Sequence, residues 1–198
     1  MKPISVTEQT QVKRGPKKAC YDRETIYRIY DDTYLCHIGA TIHGQAVVQP
    51  NLHWRIGDEL LVHGSAKNAL FQSILQGEKA CITVSTLDGL VFARSAFHHS
   101  VNFRSVMLYG QGRLIEDEQE KRAALDALLE RYSPGRSGEA RPPNDTELKA
   151  TSVFAFPIEE VSAKIRTGGP VDDPADMALD VWAGVRPVET RVGELIVD

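Results

Sequence analysis

The sequence is short of cysteine, of basic excess and of long apolar runs, and each shortage excludes something. Only Cys20, Cys36 and Cys81 occur, odd in number, widely spaced and without a Cys-x-x-Cys pair. A disulfide framework or a zinc ribbon is therefore not expected, and the usage points to a reducing cytoplasm. Lys and Arg total 23 against 27 Asp and Glu, a net charge of −4, so no basic excess marks a nucleic-acid or anionic-membrane binder. No stretch approaches the ~20 apolar residues of a membrane span. The N-terminal MKPISVTEQTQVKRGPKK is basic but lacks the apolar centre of a secretory signal. The phosphate-loop spacing of ATP hydrolases, a dinucleotide fingerprint and internal repeats are all missing.

What is present suits one domain. The chain has 198 residues, and 42% of them are hydrophobic, enough to build a core. Residues 1–18 carry KRGPKK without apolar periodicity and read as a flexible arm, leaving 19–198 as a single domain. A helix is expected over Arg23–Asp31 with Asp22 as its N-cap. The stretch YLCHIGATI enters a β pattern that turns at His43-Gly44 and pairs back. A strand Glu59–His63 precedes a helix from Ala66 to Gln76. Lys79–Thr86, Leu90–Ser95 and Phe103–Leu114 follow as β segments, the first two joined in a hairpin at Asp88-Gly89. Asp117 caps a helix that runs to about Tyr132, and two strands, Val153–Ile158 and Val161–Thr167, close the pattern. Many short strands with few helices predict a mainly β fold, an antiparallel barrel carrying helices outside it.

Two segments carry chemistry. In VHGSAKNAL, strand periodicity puts Leu61, His63 and Ser65 on one face. Ser65 then falls at a helix N-cap and Lys67 in the first turn, where free N–H groups, a hydroxyl and an ammonium converge on an anion. Gly64 would let a phosphate approach the backbone. The competing reading is that Ser65 only caps the helix and Lys67 is solvated.

The second segment is ARSAFHHSVNFRS. Arg94 and Ser95 point to opposite faces of a strand end, and Asn102 shares a face with Arg104 at the start of the next strand. With His98 and His99 between them, the window supplies guanidiniums, an amide, hydroxyls and imidazoles, a set suited to phosphate or the polar edge of a planar ring. Metal ligation is disfavoured, because no acidic residue or cysteine lies nearby at ligand spacing. An acid–base role and a plain polar loop both stay open. Elsewhere, Cys81, Thr83 and Ser85 alternate with Ile82 and Val84 on a central strand. Ser162, Lys164 and Arg166 share a late strand face. Trp54 and Trp182 read as packing anchors, and Asp58, Asp88 and Asp172-Asp173 as turn formers.

Taken together, YLCHIG, GDELLVHGSAKN, CITVSTLDGLVFARSAFHHSVNFRSVMLYGQG, PGR, ELKATSVFAFPIEEVSAKIRTGGP and WAGVRP resemble the pyridoxamine 5′-phosphate oxidase-like, FMN-binding split-barrel family, in its nitroimidazole-resistance-like subgroup. The resemblance implies a six-stranded antiparallel split barrel that forms a homodimer with FMN across the interface. It implies that Ser65 and Lys67 bind the FMN phosphate, with His63 and Gly64 lining the same cofactor pocket. The Thr83, Val84 and Ser85 backbone would run beneath the ring. Arg94, Ser95, His98, His99, Asn102 and Arg104 would continue the pocket, with Lys164, Arg166 and Trp182 near the flavin or substrate. It assigns no catalytic residue and no metal. The arginine- and tryptophan-rich C-terminal pattern of true pyridoxamine phosphate oxidases is not evident, so the substrate or electron donor stays open. A cytoplasmic FMN-dependent oxidoreductase is the expectation, with a non-catalytic flavin carrier or sensor as the alternative. A metal-dependent hydrolase built on the histidines is a third reading.

Overall fold

The computed structural model describes residues 3–197. In chain order its elements are β1 (Ala19–Cys20), α1 (Arg23–Asp31), β2 (Leu35–Ile42), β3 (Gln45–Ile56), β4 (Glu59–Ser65), α2 (Ala69–Leu75), β5 (Ala80–Phe92) and β6 (Ser100–Gly110). There follow β7 (Arg113–Leu114), α3 (Glu118–Tyr132), α4 (Arg136–Glu139), α5 (Asp145–Ala150), β8 (Thr151–Pro157), β9 (Val161–Arg166) and β10 (Gly184–Pro187). Short 3₁₀ turns cover Pro16–Lys18, Ala96–His98 and Asp176–Ala178. The protein is mainly β, an antiparallel sheet with flanking helices, as the strand patterning predicts.

The sheet runs β1-β9-β6-β5-β2-β3-β4-β8-β7, with β10 added to β5, and all pairings are antiparallel. The expected count was six strands. Among the described residues the sheet has ten, three of them of four residues or fewer. The β2–β3 hairpin turns on His43 (φ 50°) and Gly44 (φ 77°), two successive left-handed residues, which is the twist a two-residue hairpin needs.

Alternation along the strands builds the core. Ile38, Ile82, Val84, Val106, Leu108, Leu60, Val62, Phe154 and Phe156 face inward, and α1 and α2 add Ile26, Ile29, Leu70 and Phe71. The opposite face of β4 and β8 is buried too: Trp54, Leu61, Val153 and Ala155 pack against Ala124 and Leu128 of α3. Arg131 of α3 pins this layer by donating to the carbonyls of His53, Tyr30 and Thr33.

Several local expectations are corrected. Asp88-Gly89 does not turn a hairpin; β5 runs straight through it, with a register shift between Leu87 and Gly89. Arg104 holds the bulged Asp88 carboxylate at 3.0 and 3.1 Å. Gly89 is needed for approach, since a Cβ there would lie 3.0 Å from Val185 of β10. The WAGVRP segment, read as isolated, supplies β10 and pairs with Gly89–Phe92.

The N-terminal segment, expected as a flexible arm, lies on the body. Ile4 and Thr10 are buried, the Ile4 N–H donates to Tyr21 at 3.0 Å, and Thr7 donates to Glu160 at 2.7 Å. Residues 1 and 2 of that segment lie outside the described residues.

Candidate functional site

At the β4–α2 corner, the helix begins later than the spacing suggested. Asn68, not Ser65, is its N-cap, accepting from the Leu70 N–H at 2.9 Å and donating to Gln49 at 3.1 Å. Ser65 ends β4 and accepts from the Lys67 N–H at 3.2 Å, and Lys67 precedes the helix instead of sitting in its first turn. Asn wins the cap because its amide also ties the corner to β3. Gly64 has a packing role: a Cβ there would meet the buried Phe71 ring at 2.6 Å. Lys67 lines an open cleft of about 550 Å³ with Thr41, His43, Gln72 and Gln76. His63 lies half-buried with its ring edge-on to Trp54, centroids 5.6 Å apart. Burial lowers its pKa, and both His63 Nδ1 and Trp54 Nε1 are buried without a partner.

The second group gathers where β5 ends and β6 begins. Arg94 donates its amide and its guanidinium to Asp172, at 2.8 and 2.9 Å, and its Nε is buried without a partner. Ser95 accepts from the Phe97 N–H at 3.3 Å. His98 Nε2 meets Asp173 at 3.3 Å, and His99 Nδ1 meets the Ser95 carbonyl at 3.1 Å. Asn102 is buried, donates to the Gly168 carbonyl at 3.0 Å and accepts from Arg166, which also donates to Gly169 at 3.1 Å. Phe92 lies between Trp182, at 5.1 Å, and the guanidinium of Arg186, at 5.5 Å. Arg94, Ser95, His98, His99, Asn102, Arg166 and Trp182 thus form one cluster, which holds the segment after β9 against the sheet.

Arg104 departs from this cluster. It bridges Asp88 and Asp32, at 3.0 and 2.7 Å, so its charge is spent on the fold. Val84 is a core residue, while Thr83 and Ser85 face outward. Thr83 lies opposite His37 and Met107 on this outer face, and Ser85 is opposite Ser105, which in turn pairs with Lys164. Among the described residues, no hydrogen bond or ion pair joins His63–Lys67 to the 94–104 cluster. The outer sheet face between them is uncovered, with Val48 67% exposed and Leu35, Leu87 and Met107 also exposed.

Sequence reasoning missed Asp172 and Phe92. Asp172 was read as a turn former, yet its side chain is only 1% exposed against Arg94. No local pattern announces a partner that far along the chain. The same loop brings Asp173 and Asp176 to His98, with ligand atoms within 4.8 Å of one another. The acids that sequence spacing found wanting are therefore present, on an exposed rim.

A family model described as pyridoxamine 5′-phosphate oxidase matches residues 22–165. The chain belongs to this family. Among solved structures, the flavocytochrome Anf3 from Azotobacter vinelandii is 42% identical, with a TM-score of 0.94 over 99% of this chain and 91% of that one. A FAD and heme binding protein from Mycobacterium smegmatis is 36% identical, with a TM-score of 0.87 over 91% and 89% of the two chains. A putative 5-nitroimidazole antibiotic resistance protein from Bacteroides thetaiotaomicron shares the oxidase-family fold at 22% identity, TM-score 0.63, over 86% and 90%. No curated protein matches the sequence.

Proposed function

We propose that the protein is a homodimeric redox protein that binds a flavin and a haem. The observation that carries this reading is the near full-length likeness, at 42% identity, to a protein named as a flavocytochrome. The second relative above 30% identity is named for FAD and haem together. The sequence motifs favour FMN and the Mycobacterium smegmatis relative is named for FAD; the isoalloxazine is common to both. A bound flavin supplies the electron chemistry, and the protein supplies position and hydrogen bonds.

The dimer is supported by what one chain leaves uncovered. The two site groups are not joined within a chain, and the sheet face between them exposes apolar side chains. The C-terminal segment does the same, with Ile196 91% exposed beside exposed Leu195 and Val197. A second copy laid on that face would bury both surfaces and bring Lys67, Thr83 and Ser85 toward the partner's cluster. In the cluster, Arg94, Asn102 and Arg166 are engaged with the chain itself. This favours a rigid frame for electron transfer over a set of free acid–base groups.

The test is direct. Purified protein should show flavin and Soret bands, run as a dimer by light scattering, and release its flavin on denaturation, when chromatography identifies FMN or FAD. Colourless protein that takes up neither group on titration would sink the reading.

A further inference from the structure

The outer sheet face that holds Thr83 and Ser85 continues across β6 onto β9. Ser105 lies opposite both Ser85 and Lys164, and Met107 lies opposite both Thr83 and Ser162. These residues alternate with Val106, Val161 and Ala163 of the core, so the strand period sends their side chains outward together. The N-terminal segment crosses this face. Tyr21 fixes it there, its hydroxyl accepting from the Val12 N–H at 3.0 Å and donating to the Thr10 carbonyl at 3.1 Å. Between segment and sheet lies a cavity of about 240 Å³, whose lining includes Val12, Arg14, Met107, Tyr109, Ser162 and Lys164.

We infer that this cavity binds a small carboxylate-bearing molecule, with the Lys164 ammonium and the Ser162 hydroxyl on the carboxylate and Val12, Met107 and Tyr109 against its apolar body. Its placement beside a flavin rests on the functional reading above; the cavity and its polar groups do not.

Two polar groups of the lining stand unmet. Ser162 is only 8% exposed, yet its hydroxyl has no hydrogen-bond partner among the described residues. A buried hydroxyl left unpaired costs stability, which a ligand atom at hydrogen-bond distance restores. The Lys164 carbonyl accepts from Ser105 at 3.2 Å, but its ammonium has no hydrogen-bond or ion-pair partner among the described residues. No carboxylate lines the cavity to neutralise it. The hollow beside Thr86 differs, because its Arg104 is already held by Asp88 and Asp32, at 3.0 and 2.7 Å.

The approach is positive as well. The window Lys13–Lys18 adds four cations and no acid on a chain of net charge −4. It lies against Lys164, since a Cβ built on Gly15 would be 3.8 Å from the Lys164 Cε. Such a local field concentrates anions at the mouth. Inside, one ammonium and one hydroxyl match a single charge shared over two oxygens, whereas a phosphate dianion would stay partly uncompensated. The volume falls below the ~300 Å³ at which pockets for drug-sized ligands begin, so the molecule is small.

The experiment titrates benzoate and pyruvate into full-length, flavin-loaded protein by calorimetry and follows the flavin absorbance in parallel. At least one acid should saturate at millimolar concentration and shift the flavin bands, while benzamide and inorganic phosphate should not bind. Lys164→Gln should raise the Kd of the bound acid at least about tenfold, the scale of a hydrogen bond to a charged group. Lys164→Arg should recover most of that loss. Val12→Trp, which fills the cavity from the N-terminal segment and leaves Lys164 in place, should abolish binding in protein whose circular dichroism melt is unchanged. Saturation by neither acid overturns the inference, as does equal binding of benzamide or phosphate. Unaltered affinity in Lys164→Gln, or in Val12→Trp, overturns it too. Acid binding that leaves the flavin bands unmoved overturns the placement beside the flavin. Protein that holds no flavin but binds the acid through Lys164 overturns the functional reading and upholds the site.

Discussion

Arg94 and Asp172 lie 78 residues apart in the chain and meet twice, through the backbone amide and through the guanidinium, at 2.8 and 2.9 Å. Against the cost of desolvation, these contacts hold the Asp172 carboxyl below its ordinary pKa. Asp172→Asn should therefore free the segment after β9, because the guanidinium loses its counter-charge. Limited proteolysis should show faster cleavage within residues 168–183, and flavin retention should fall. An unchanged cleavage pattern would show that the pair does not anchor the segment.

Gly64→Ala should destabilise the protein by about 1–3 kcal/mol, the cost of overpacking a filled core. The added Cβ would meet the Phe71 ring at 2.6 Å, and Phe71, packed on Phe154, has no free side to swing toward. Urea denaturation measures the loss.

The helix start is tested by two substitutions. Asn68→Ala should cost about 1 kcal/mol, the usual value of an N-cap, while Ser65→Ala should cost clearly less. Equal losses in thermal melts would return the cap to Ser65.

Lys67 is exposed and its ammonium has no partner among the described hydrogen bonds and ion pairs. If it meets the flavin phosphate, Lys67→Ala should weaken flavin binding by about 1–3 kcal/mol, the scale of a hydrogen bond to a charged group. Fluorescence titration of the apoprotein reads this directly.

His53 sets a pH dependence. Burial first, and then the nearby Arg131 charge, lower its pKa from 6.5 to about 4. Between these values the unfolded chain binds a proton that the folded chain refuses, so stability rises with pH. It is complete above 6.5 and falls as the pH drops toward 4, by about 3 kcal/mol in all. Urea melts across this window should show the slope, and a His53→Gln variant should flatten it.

Much of the fold is legible in residues close in sequence. Asp22 caps α1, His43-Gly44 turns a hairpin and Asp117 caps α3, each by an interaction spanning three residues or fewer. Period-two alternation likewise set the inward faces of β4, β5 and β6. The mainly β class and the family followed from these local signals. Local signals also misled where two readings share one spelling. Asp-Gly marks hairpins and bulges alike, and the bulge won here because Arg104 takes Asp88 while β10 needs the space above Gly89. Ser65 and Asn68 are both good caps, and the longer amide that reaches Gln49 prevailed.

The candidate site divides in the same way. The sequence by itself determined which chemistry is available: the imidazoles, guanidiniums and hydroxyls of two short windows, and the absence of acidic neighbours within them. Only the tertiary structure decided which of those groups are already spent. Arg104 is consumed by Asp88 and Asp32, Arg94 by Asp172, and His98 turns to Asp173, while His99 meets the Ser95 carbonyl. The reason is physical: charge pairing and hydrogen-bond direction depend on separations of a few ångströms in space, and the partners come from loops whose positions no local periodicity encodes.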